Sequence, residues 1–302
     1  MGINKIEKLM PIIKYMYYLN RILKKENYTH LIILNTIPSI LISYILLNDY
    51  KSKYILDIRD YSYEKYKIYR NRVEKIIENS YFTAISSEGF KSFLPDSRKL
   101  ITCHNISNLE EKLEECNNIK EQACVKIGFV GLVRYFNENS KLIKTLANNS
   151  QYELVYYGKT HVNCNLVDYC KQIKAKNIIF YGEFKNNEKP KIYQNIDMIN
   201  AIYGNKSLEV TTALPNRLYD GVLFKKPIIA TSGTYLGEIV EKHKLGIAIN
   251  IEDDERNIRN KIDNYIANFD SEKFVNHCNE FLSLALKQQR AFQNKVLDFI
   301  NQ

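Results

Sequence analysis

The stretch Ala-Leu-Pro-Asn-Arg-Leu-Tyr-Asp-Gly-Val-Leu-Phe-Lys-Lys-Pro-Ile-Ile-Ala-Thr, residues 213–231, indicates the fold of this chain. The pattern predicts a loop, a helix that begins at Pro215, and a short apolar strand at 228–231 of the kind buried in a parallel sheet. Pro215 suits the first position of a helix, because the amide that proline lacks would be unpaired there. The amides of Asn216, Arg217 and Leu218 would then be open to an anion.

Two charged residues in the first turns of this helix could bind a ligand. Arg217 carries a permanent positive charge with fork geometry for phosphate, and Asp220 can accept hydrogen bonds from vicinal hydroxyls. A nucleoside diphosphate presents both groups, so we take Pro215, Asn216, Arg217, Leu218 and Asp220 as candidate binding residues. The alternative is an ordinary amphipathic helix with Arg and Asp on its surface.

The order Pro-Asn-Arg-Leu-Tyr-Asp, followed by Lys-Lys-Pro-Ile-Ile, resembles the donor-site segment of family-4-type, GT-B fold glycosyltransferases. That segment is usually seen as Pro-Asn-Lys-x-x-Glu, six residues, then Pro-Val-Ile. The resemblance implies that Arg217 holds the donor diphosphate and Asp220 the ribose. The family's Glu-(seven residues)-Glu form is absent: Thr212 stands eight residues before Asp220, and Glu209 is three residues too early.

The amino-terminal half alternates strands and helices. An uncharged run at 28–48 is long enough to suggest a membrane span. Asn35, Thr36, Pro38 and Ser39 interrupt it, so we predict a buried strand at 31–34, a turn and a helix at 39–47. Further strands are predicted at 53–58, 81–85 and 100–103, in one parallel sheet with helices on both faces.

Polar side chains follow three of these strands, where ligands of parallel sheets bind. We take Arg59, Asp60 and His104 as candidate catalytic residues. The motifs Asp-x-Arg-Asp, Ala-x-Ser and His-Asn resemble the loops of the GT-B amino-terminal domain, which implies an acceptor site. The alternative for His104 is a side chain that lines the cleft or caps the following segment.

A second series of strands and helices begins at residue 125. The first predicted strand ends at Gly131, where a phosphate can approach the backbone. Gly128-Phe129-Val130-Gly131 resembles the first strand and glycine loop of the GT-B donor domain, where Arg or Lys usually follows the glycine, so Arg134 is the candidate second phosphate ligand; the alternative is a solvated loop residue. A later strand ends at Gly182, and the resemblance implies that Gly182, Glu183 and Phe184 line the nucleobase pocket. Residues 203–214 are predicted to form an irregular loop.

The alternation predicts an α/β chain with parallel sheets, and the resemblance implies a GT-B-like fold, in which two doubly wound, Rossmann-like parallel-sheet domains face a cleft. The predicted divisions are an acceptor-side domain at 1–106, a linker at 107–124, a donor domain at 125–285 and a C-terminal helix at 286–302 that could cross back to the first domain. The first domain is shortened, with four strands before the linker. Either it is a shortened variant, or upstream residues are missing, or a partner supplies that half.

Composition limits the kinds of molecule that the chain could bind. The formal charge of +9 is compatible with nucleic acid, a membrane surface or an anionic substrate, but basic and acidic residues alternate and no nucleic-acid-binding signature is present. The six cysteines form no Cys-x-x-Cys pair, so we predict no metal site and a cytoplasmic location. Residues 3–26 predict a helix, kinked or divided at Pro11, with an apolar stripe and an excess of basic residues. It could lie on the inner face of an anionic membrane or pack on the first sheet.

The resemblance implies that the chain is a glycosyltransferase. It would move a sugar from a nucleotide-diphosphate donor to a hydroxyl of a glycan or lipid-linked acceptor, in surface or capsular polysaccharide biosynthesis. Arg134, Arg217 and the helix amides would replace a metal ion, and no cofactor is required. The alternatives are a non-catalytic GT-B subunit that needs a partner, and a nucleotide-sugar epimerase.

Overall fold

The computed structural model describes residues 5–106, 112–113 and 115–302. The chain divides into two compact units. The first unit is Met1–His104 with Lys287–Gln302, and the second is Asn105–Leu286. The predicted linker includes residues 107–111 and 114, which lie outside the described residues, and the predicted boundaries stay predictions.

The first unit is built on a parallel sheet in which the described strands follow sequence order, β1-β2-β3-β4. These strands are β1 (Leu31–Leu34), β2 (Tyr54–Ile58), β3 (Phe82–Ile85) and β4 (Leu100–Thr102). The helices before residue 104 are α1 (Lys5–Lys25), α2 (Thr36–Leu41), α3 (Ser43–Asn48) and α4 (Lys67–Asn79). Leu31 pairs with Tyr54, and Ile55 pairs with Phe82. Each new strand is therefore added at the same edge of the sheet, beyond the strand before it.

The predicted turn after β1 is instead the start of α2. Asn35 has a positive φ of 73° and caps this helix, since its side chain accepts a hydrogen bond of 2.7 Å from the amide of Thr36. Pro38 lies in the first turn of α2, where a helix needs no amide donor from it. The helix therefore begins three residues earlier than the sequence indicated.

The first helix is not divided at Pro11, which was one of the two predicted outcomes. α1 runs unbroken through Pro11, which removes only one internal amide from a helix of 21 residues. Every side chain from residue 10 to residue 18 is exposed. Packing of this part of α1 on the first sheet, which the sequence left open, is not found.

The second unit is built on a six-stranded parallel sheet with the order β10-β9-β8-β5-β6-β7. These strands are β5 (Val125–Val130), β6 (Tyr152–Tyr157), β7 (Ile178–Gly182), β8 (Met198–Ala201), β9 (Ile228–Thr231) and β10 (Gly246–Ile249). The helices are α5 (Phe136–Leu146), α6 (Leu166–Gln172), α7 (Lys189–Gln194), α8 (Leu208–Thr212), α9 (Asn216–Leu223), α10 (Tyr235–Lys242), α11 (Glu255–Ala267) and α12 (Ser271–Ile300). The predicted irregular loop at 203–214 was wrong in part, because it contains α8. Residues of α12 from Lys287 onward belong to the first unit.

Each unit has its own apolar core. In the second unit β8 and β9 are buried along their whole length, whereas β7 at the sheet edge is only partly buried. The end of α9 meets α7 where the rings of Tyr193 and Phe224 stack at 4.7 Å. In the first unit Phe299 from the end of α12 packs with Ile55 and Phe82. The predicted α/β class with two parallel sheets is confirmed.

Candidate functional site

Arg217, in the first turn of α9, is held at the end of the central strand β5. Its Nε donates a hydrogen bond of 2.7 Å to the carbonyl oxygen of Val130, and its Nη1 donates one of 2.8 Å to the hydroxyl of Tyr203. The guanidinium carbon lies 3.6 Å from the ring centroid of Phe129. All three partners are neutral. They fix the plane of the guanidinium and leave its positive charge uncancelled.

The strand order explains why these groups meet. From β5 the chain moves outward to β6 and β7, and then returns to β8 on the other side of β5. Gly131 follows β5 and Tyr203 follows β8, so both lie at the point where the strand order reverses. In open parallel sheets ligands bind in the crevice at that point. Tyr203 was not a candidate from the sequence, because its role depends on β8 lying beside β5.

Glycines keep this edge of the sheet free of side chains. Gly131 has φ of +127° and donates a hydrogen bond of 2.8 Å to the carbonyl oxygen of Tyr157. A Cβ on Gly131 would lie 3.1 Å from Nη2 of Arg217, and a Cβ on Gly158 would lie 1.9 Å from the carbonyl oxygen of Gly131. The close approach of these two loops therefore depends on Gly158.

The start of α9 differs by one residue from the prediction. Pro215 is the residue that caps the helix, and Asn216 is the first helical residue. The amide of Leu218 donates a hydrogen bond of 3.0 Å back to the carbonyl oxygen of Pro215. Of the three predicted open amides, Asn216 and Arg217 remain at the open end of the helix. The side-chain oxygen of Asn216 also accepts a hydrogen bond of 2.5 Å from the side chain of Asn105.

Arg134 lies on the loop between β5 and α5. Its side chain is exposed, and the buried amide of Asn139 holds its backbone by donating a hydrogen bond of 2.9 Å to the carbonyl oxygen of Arg134. The next residue, Tyr135, has φ of 64°, and its ring packs edge to face on Tyr203 at 5.3 Å. The loop is therefore fixed at both ends, while the guanidinium of Arg134 points into solvent at the strand end that also holds Arg217.

Asp220 is buried between α9 and α7. Its Oδ2 accepts a hydrogen bond of 2.8 Å from the hydroxyl of Tyr193 and lies 3.1 Å from the ammonium of Lys189. Burial, and then the adjacent Asp220 carboxylate, raise the pKa of Tyr193 well above its usual value. Tyr193 therefore keeps its proton and stays a donor. Lys189 and Tyr193 were not candidates from the sequence, since nothing local brings α7 to α9.

The three residues predicted for the nucleobase pocket line one cavity of about 360 Å³ in the second unit. Gly182, Glu183 and Phe184 form one side of it, and residues of α7 form another. The Glu183 carboxylate is exposed and lies 3.6 Å from the ammonium of Lys159. The rings of Tyr157 and Tyr181 stack face to face at 4.5 Å beside the cavity. It offers flat aromatic surface and polar groups together.

The residues that stand where the family has its first carboxylate lie on α8. Thr212 is buried, and its hydroxyl donates a hydrogen bond of 2.5 Å to the carbonyl oxygen of Leu208. Glu209 is exposed one turn earlier. Burial raises the pKa of Tyr135, and the charge of Glu209 adds to that effect, so the carboxylate lies near this ring.

In the first unit two of the three predicted catalytic residues are engaged in internal contacts. Nε of Arg59 lies 2.7 Å from the carboxylate of Asp57, and its Nη2 donates a hydrogen bond of 3.3 Å to the sulfur of Cys103. His104 is 9% exposed, and its Nε2 lies 2.5 Å from the side-chain oxygen of Gln288. Burial lowers the pKa of His104, against the opposing effect of the Gln288 hydrogen bond. Asp60, in contrast, is exposed.

Glu64 is a buried residue of this strand edge that the sequence analysis did not single out. Its carboxylate accepts hydrogen bonds of 2.9 Å from the hydroxyl of Thr36 and 2.7 Å from the amide of Ser62. It thereby ties the loop after β2, which carries Asp60, to the start of α2. Its signal in the sequence was only a lone Glu in a tyrosine-rich loop.

The described part of the chain contains no group of three or more His, Cys, Asp or Glu side chains arranged to hold a metal ion. The six cysteines form no disulfide. Among the described helices none is both long and apolar enough to cross a membrane.

Comparisons with known proteins show what this chain is similar to. No family model matches the sequence, and no curated protein matches it. Sucrose-phosphate synthase from Thermosynechococcus elongatus has a similar structure, with a TM-score of 0.69 at 11% identity over 99% of this chain and 81% of that one.

Two further solved structures are similar over nearly the whole chain. HepE from Anabaena, in complex with UDP, gives a TM-score of 0.69 at 11% identity over 95% of this chain and 82% of that one. The lipopolysaccharide outer core galactosyltransferase WaaB gives 0.68 at 12% identity over 96% and 81%. The chain has the GT-B fold of these glycosyltransferases, and the predicted resemblance is confirmed at the level of the fold.

Proposed function

We propose that this chain transfers a sugar from a nucleotide-diphosphate donor to a hydroxyl group of an acceptor. The observation that carries the proposal is the position of Arg217. Its guanidinium lies at the point where the strand order reverses, beside Gly131, and its three partners are neutral. A buried cation with an uncancelled charge at this point suits a diphosphate. The binding of UDP by HepE, which shares the fold, supports the same assignment.

The donor diphosphate would lie against Arg217, Arg134 and the open amides of α9. When the bond between the sugar and the diphosphate breaks, negative charge builds up on the leaving phosphate. Fixed cations and amides offset that charge, and they do so without reorganisation during the reaction. We therefore propose that transfer needs no added metal ion. The check is turnover in EDTA after exhaustive dialysis, which should equal turnover in Mg²⁺.

The remaining parts of the donor would use the other groups of the second unit. Gly182, Glu183 and Phe184 are proposed to face the nucleobase in the cavity that they line, and the carboxylate of Asp220 is proposed to accept from the ribose. On the acceptor side we propose Asp60 as the group that takes the proton of the attacking hydroxyl, because it is the exposed carboxylate among the three predicted residues. Arg59 and His104 are its predicted companions.

The acceptor is proposed to be a growing surface or capsular polysaccharide, either free or lipid-linked, at the inner face of a membrane. The exposed side chains of α1 between residues 10 and 18 include Met, Ile and Tyr, and the same helix carries Lys14, Arg21, Lys24 and Lys25. Each basic residue near an anionic surface contributes roughly 1 kcal/mol. We expect salt-sensitive sedimentation with anionic vesicles at low salt. Equal recovery with neutral and anionic vesicles would remove the membrane contact.

The proposal is tested by incubating the chain with radiolabelled UDP-, GDP- and ADP-sugars and cell-derived acceptors. A labelled glycan or lipid-linked product is expected, with release of the nucleoside diphosphate. A nucleotide-binding subunit without transferase activity is the second candidate, and the internal contacts of Arg59 and His104 favour it. It would bind nucleoside diphosphate and form no product and no free sugar.

A further inference from the structure

Lys189, the first residue of α7, forms an ion pair with a carboxylate of α9. Its ammonium lies 3.1 Å from Oδ2 of Asp220. The side chain of Asp220 is 4% exposed, whereas that of Lys189 is 23% exposed. The pair therefore has a buried acidic side and a cationic side that solvent or a ligand can reach.

Only one of the two carboxylate oxygens of Asp220 has hydrogen-bond partners among the described residues. Within the described residues, Asp220 accepts from the Lys189 ammonium and from the Tyr193 hydroxyl, and both bonds end on Oδ2. The lone pairs of Oδ1 are left for another donor. Because Tyr193 is itself buried, its hydroxyl holds Oδ2 of Asp220 in place before any ligand binds.

The ammonium has donors to spare as well. A lysine ammonium carries three N–H bonds, and one of them is directed to Asp220. A fixed carboxylate oxygen beside an ammonium matches a vicinal diol: one hydroxyl donates to the carboxylate, and the other accepts from the ammonium. Asp220 lies one helical turn beyond Arg217 on α9, which is close to where a ribose would follow a diphosphate.

We infer that Lys189 is a specificity-determining residue of the donor site and reads the ribose diol together with Asp220. This rests on the proposed function, since it requires a nucleoside diphosphate on Arg217. Asp220 accepts through Oδ1 from one ribose hydroxyl. Lys189 donates to the oxygen of the other and holds Oδ2 at the same time.

The test compares two ligands by isothermal titration calorimetry. The probe is whichever of UDP, GDP and ADP binds the wild-type chain most tightly, together with its 2′,3′-dideoxy analogue. The expected result is that Lys189→Met weakens the ribonucleotide about tenfold and leaves the dideoxy analogue within about twofold, because one charge-assisted hydrogen bond contributes roughly such a factor. Lys171→Met on α6 is the matched control: its ammonium also pairs with an aspartate, Asp168, at 3.4 Å, but both side chains are exposed, and the change should leave the ratio of the two affinities unchanged.

A second variant protects the test against misfolding. Removing Lys189 alone leaves the buried Asp220 charge without its cation, so Asp220→Asn and the double variant with Lys189→Met are measured as well. If the two residues act as one unit, the double variant loses no more ribose preference than Asp220→Asn does.

The possible failures are distinct. If the wild-type chain binds none of the three nucleoside diphosphates, the proposed function itself fails. If it binds them and Lys189→Met keeps the ribose preference, Lys189 has no part in reading the diol. An equal loss for both ligands would make Lys189 a phosphate contact and would also overturn the inference.

Discussion

The carboxyl edges of the two sheets each hold an arginine, and the two arginines have different partners. In the second unit Arg217 is bound to a carbonyl oxygen, a tyrosine hydroxyl and an aromatic face. In the first unit Arg59 lies 2.7 Å from the carboxylate of Asp57. Neutral acceptors orient a guanidinium without neutralising its positive charge, whereas a carboxylate neutralises that charge. An arginine at a strand end is therefore available to an anionic ligand only when its partners are neutral.

The two edges also differ in strand order. In the second sheet the reversal at β5 brings groups from β5, β8 and α9 around one point. In the first sheet each described strand adds to the same side, so its polar residues are spread along the edge. We expect the second edge to determine affinity for the donor and the first edge to determine turnover. The predictions below test that division, from the largest expected effect to the smallest.

Asp60→Asn should give the largest effect. If Asp60 takes the acceptor proton, turnover should fall about a hundredfold or more, because general-base help typically contributes a factor of that size. Affinity for the nucleoside diphosphate should stay within about twofold. Initial rates and calorimetry on the same preparation measure both, and Asp96→Asn, an exposed aspartate ahead of β4, serves as the control. A fall in donor affinity would break the division between the two edges.

Arg217→Ala should weaken nucleoside diphosphate binding by roughly ten- to hundredfold, since a hydrogen bond to a charged group contributes about 1.5 to 3 kcal/mol. Arg59→Ala, the matched change at the other edge, should leave that affinity unaltered. Arg217→Lys keeps the charge and loses the planar contact with Phe129, so an intermediate affinity is expected. Calorimetric titration of all three variants decides it, and equal losses for Arg217→Ala and Arg59→Ala would contradict the comparison.

Replacing Gly158 or Gly182, both at the second edge, by alanine should lower the stability of the chain by different amounts. A Cβ on Gly158 would meet the carbonyl oxygen of Gly131, whereas a Cβ on Gly182 meets nothing within 4 Å, although both residues have positive φ. Gly182→Ala should lower the free energy of unfolding by about 1 to 2 kcal/mol from backbone strain alone. Gly158→Ala adds an overlap of typically 1 to 3 kcal/mol or more. Chemical denaturation of both variants provides the measurement, and equal losses would mean that the two loops can move apart.

The sequence predicted the fold and helix α9 because their signals are local. The residues around Pro215 indicate where the helix starts, and the apolar run at 228–231 indicates the strand. A short stretch of sequence is therefore enough to predict either element. Tyr203, Lys189 and Glu64 escaped prediction because each acts through a partner far along the chain. Their roles depend on which strands and helices are neighbours. The exposure of α1 was equally out of reach, since an apolar stripe does not reveal whether a surface covers it.

The smallest expected effect is the pH dependence contributed by His104. Burial lowers the pKa of His104 in the folded chain, and the usual value for an unfolded chain is about 6.5. As the pH falls through the window from about 6.5 down to the folded pKa, the unfolded chain binds a proton that the folded chain does not. Stability should therefore fall in that window, and His104 contributes no slope above it.

Burial also lowers the pKa of His243, in the second unit, so the same sign is expected there. Denaturation curves between pH 7.5 and 5 should show a flatter acid slope for His104→Gln and for His243→Gln than for the wild-type chain. An unchanged slope in His104→Gln would mean that Gln288 and Glu88 support the protonated ring as well as burial opposes it, and His104 would then be ready to act as an acid or base at the first edge.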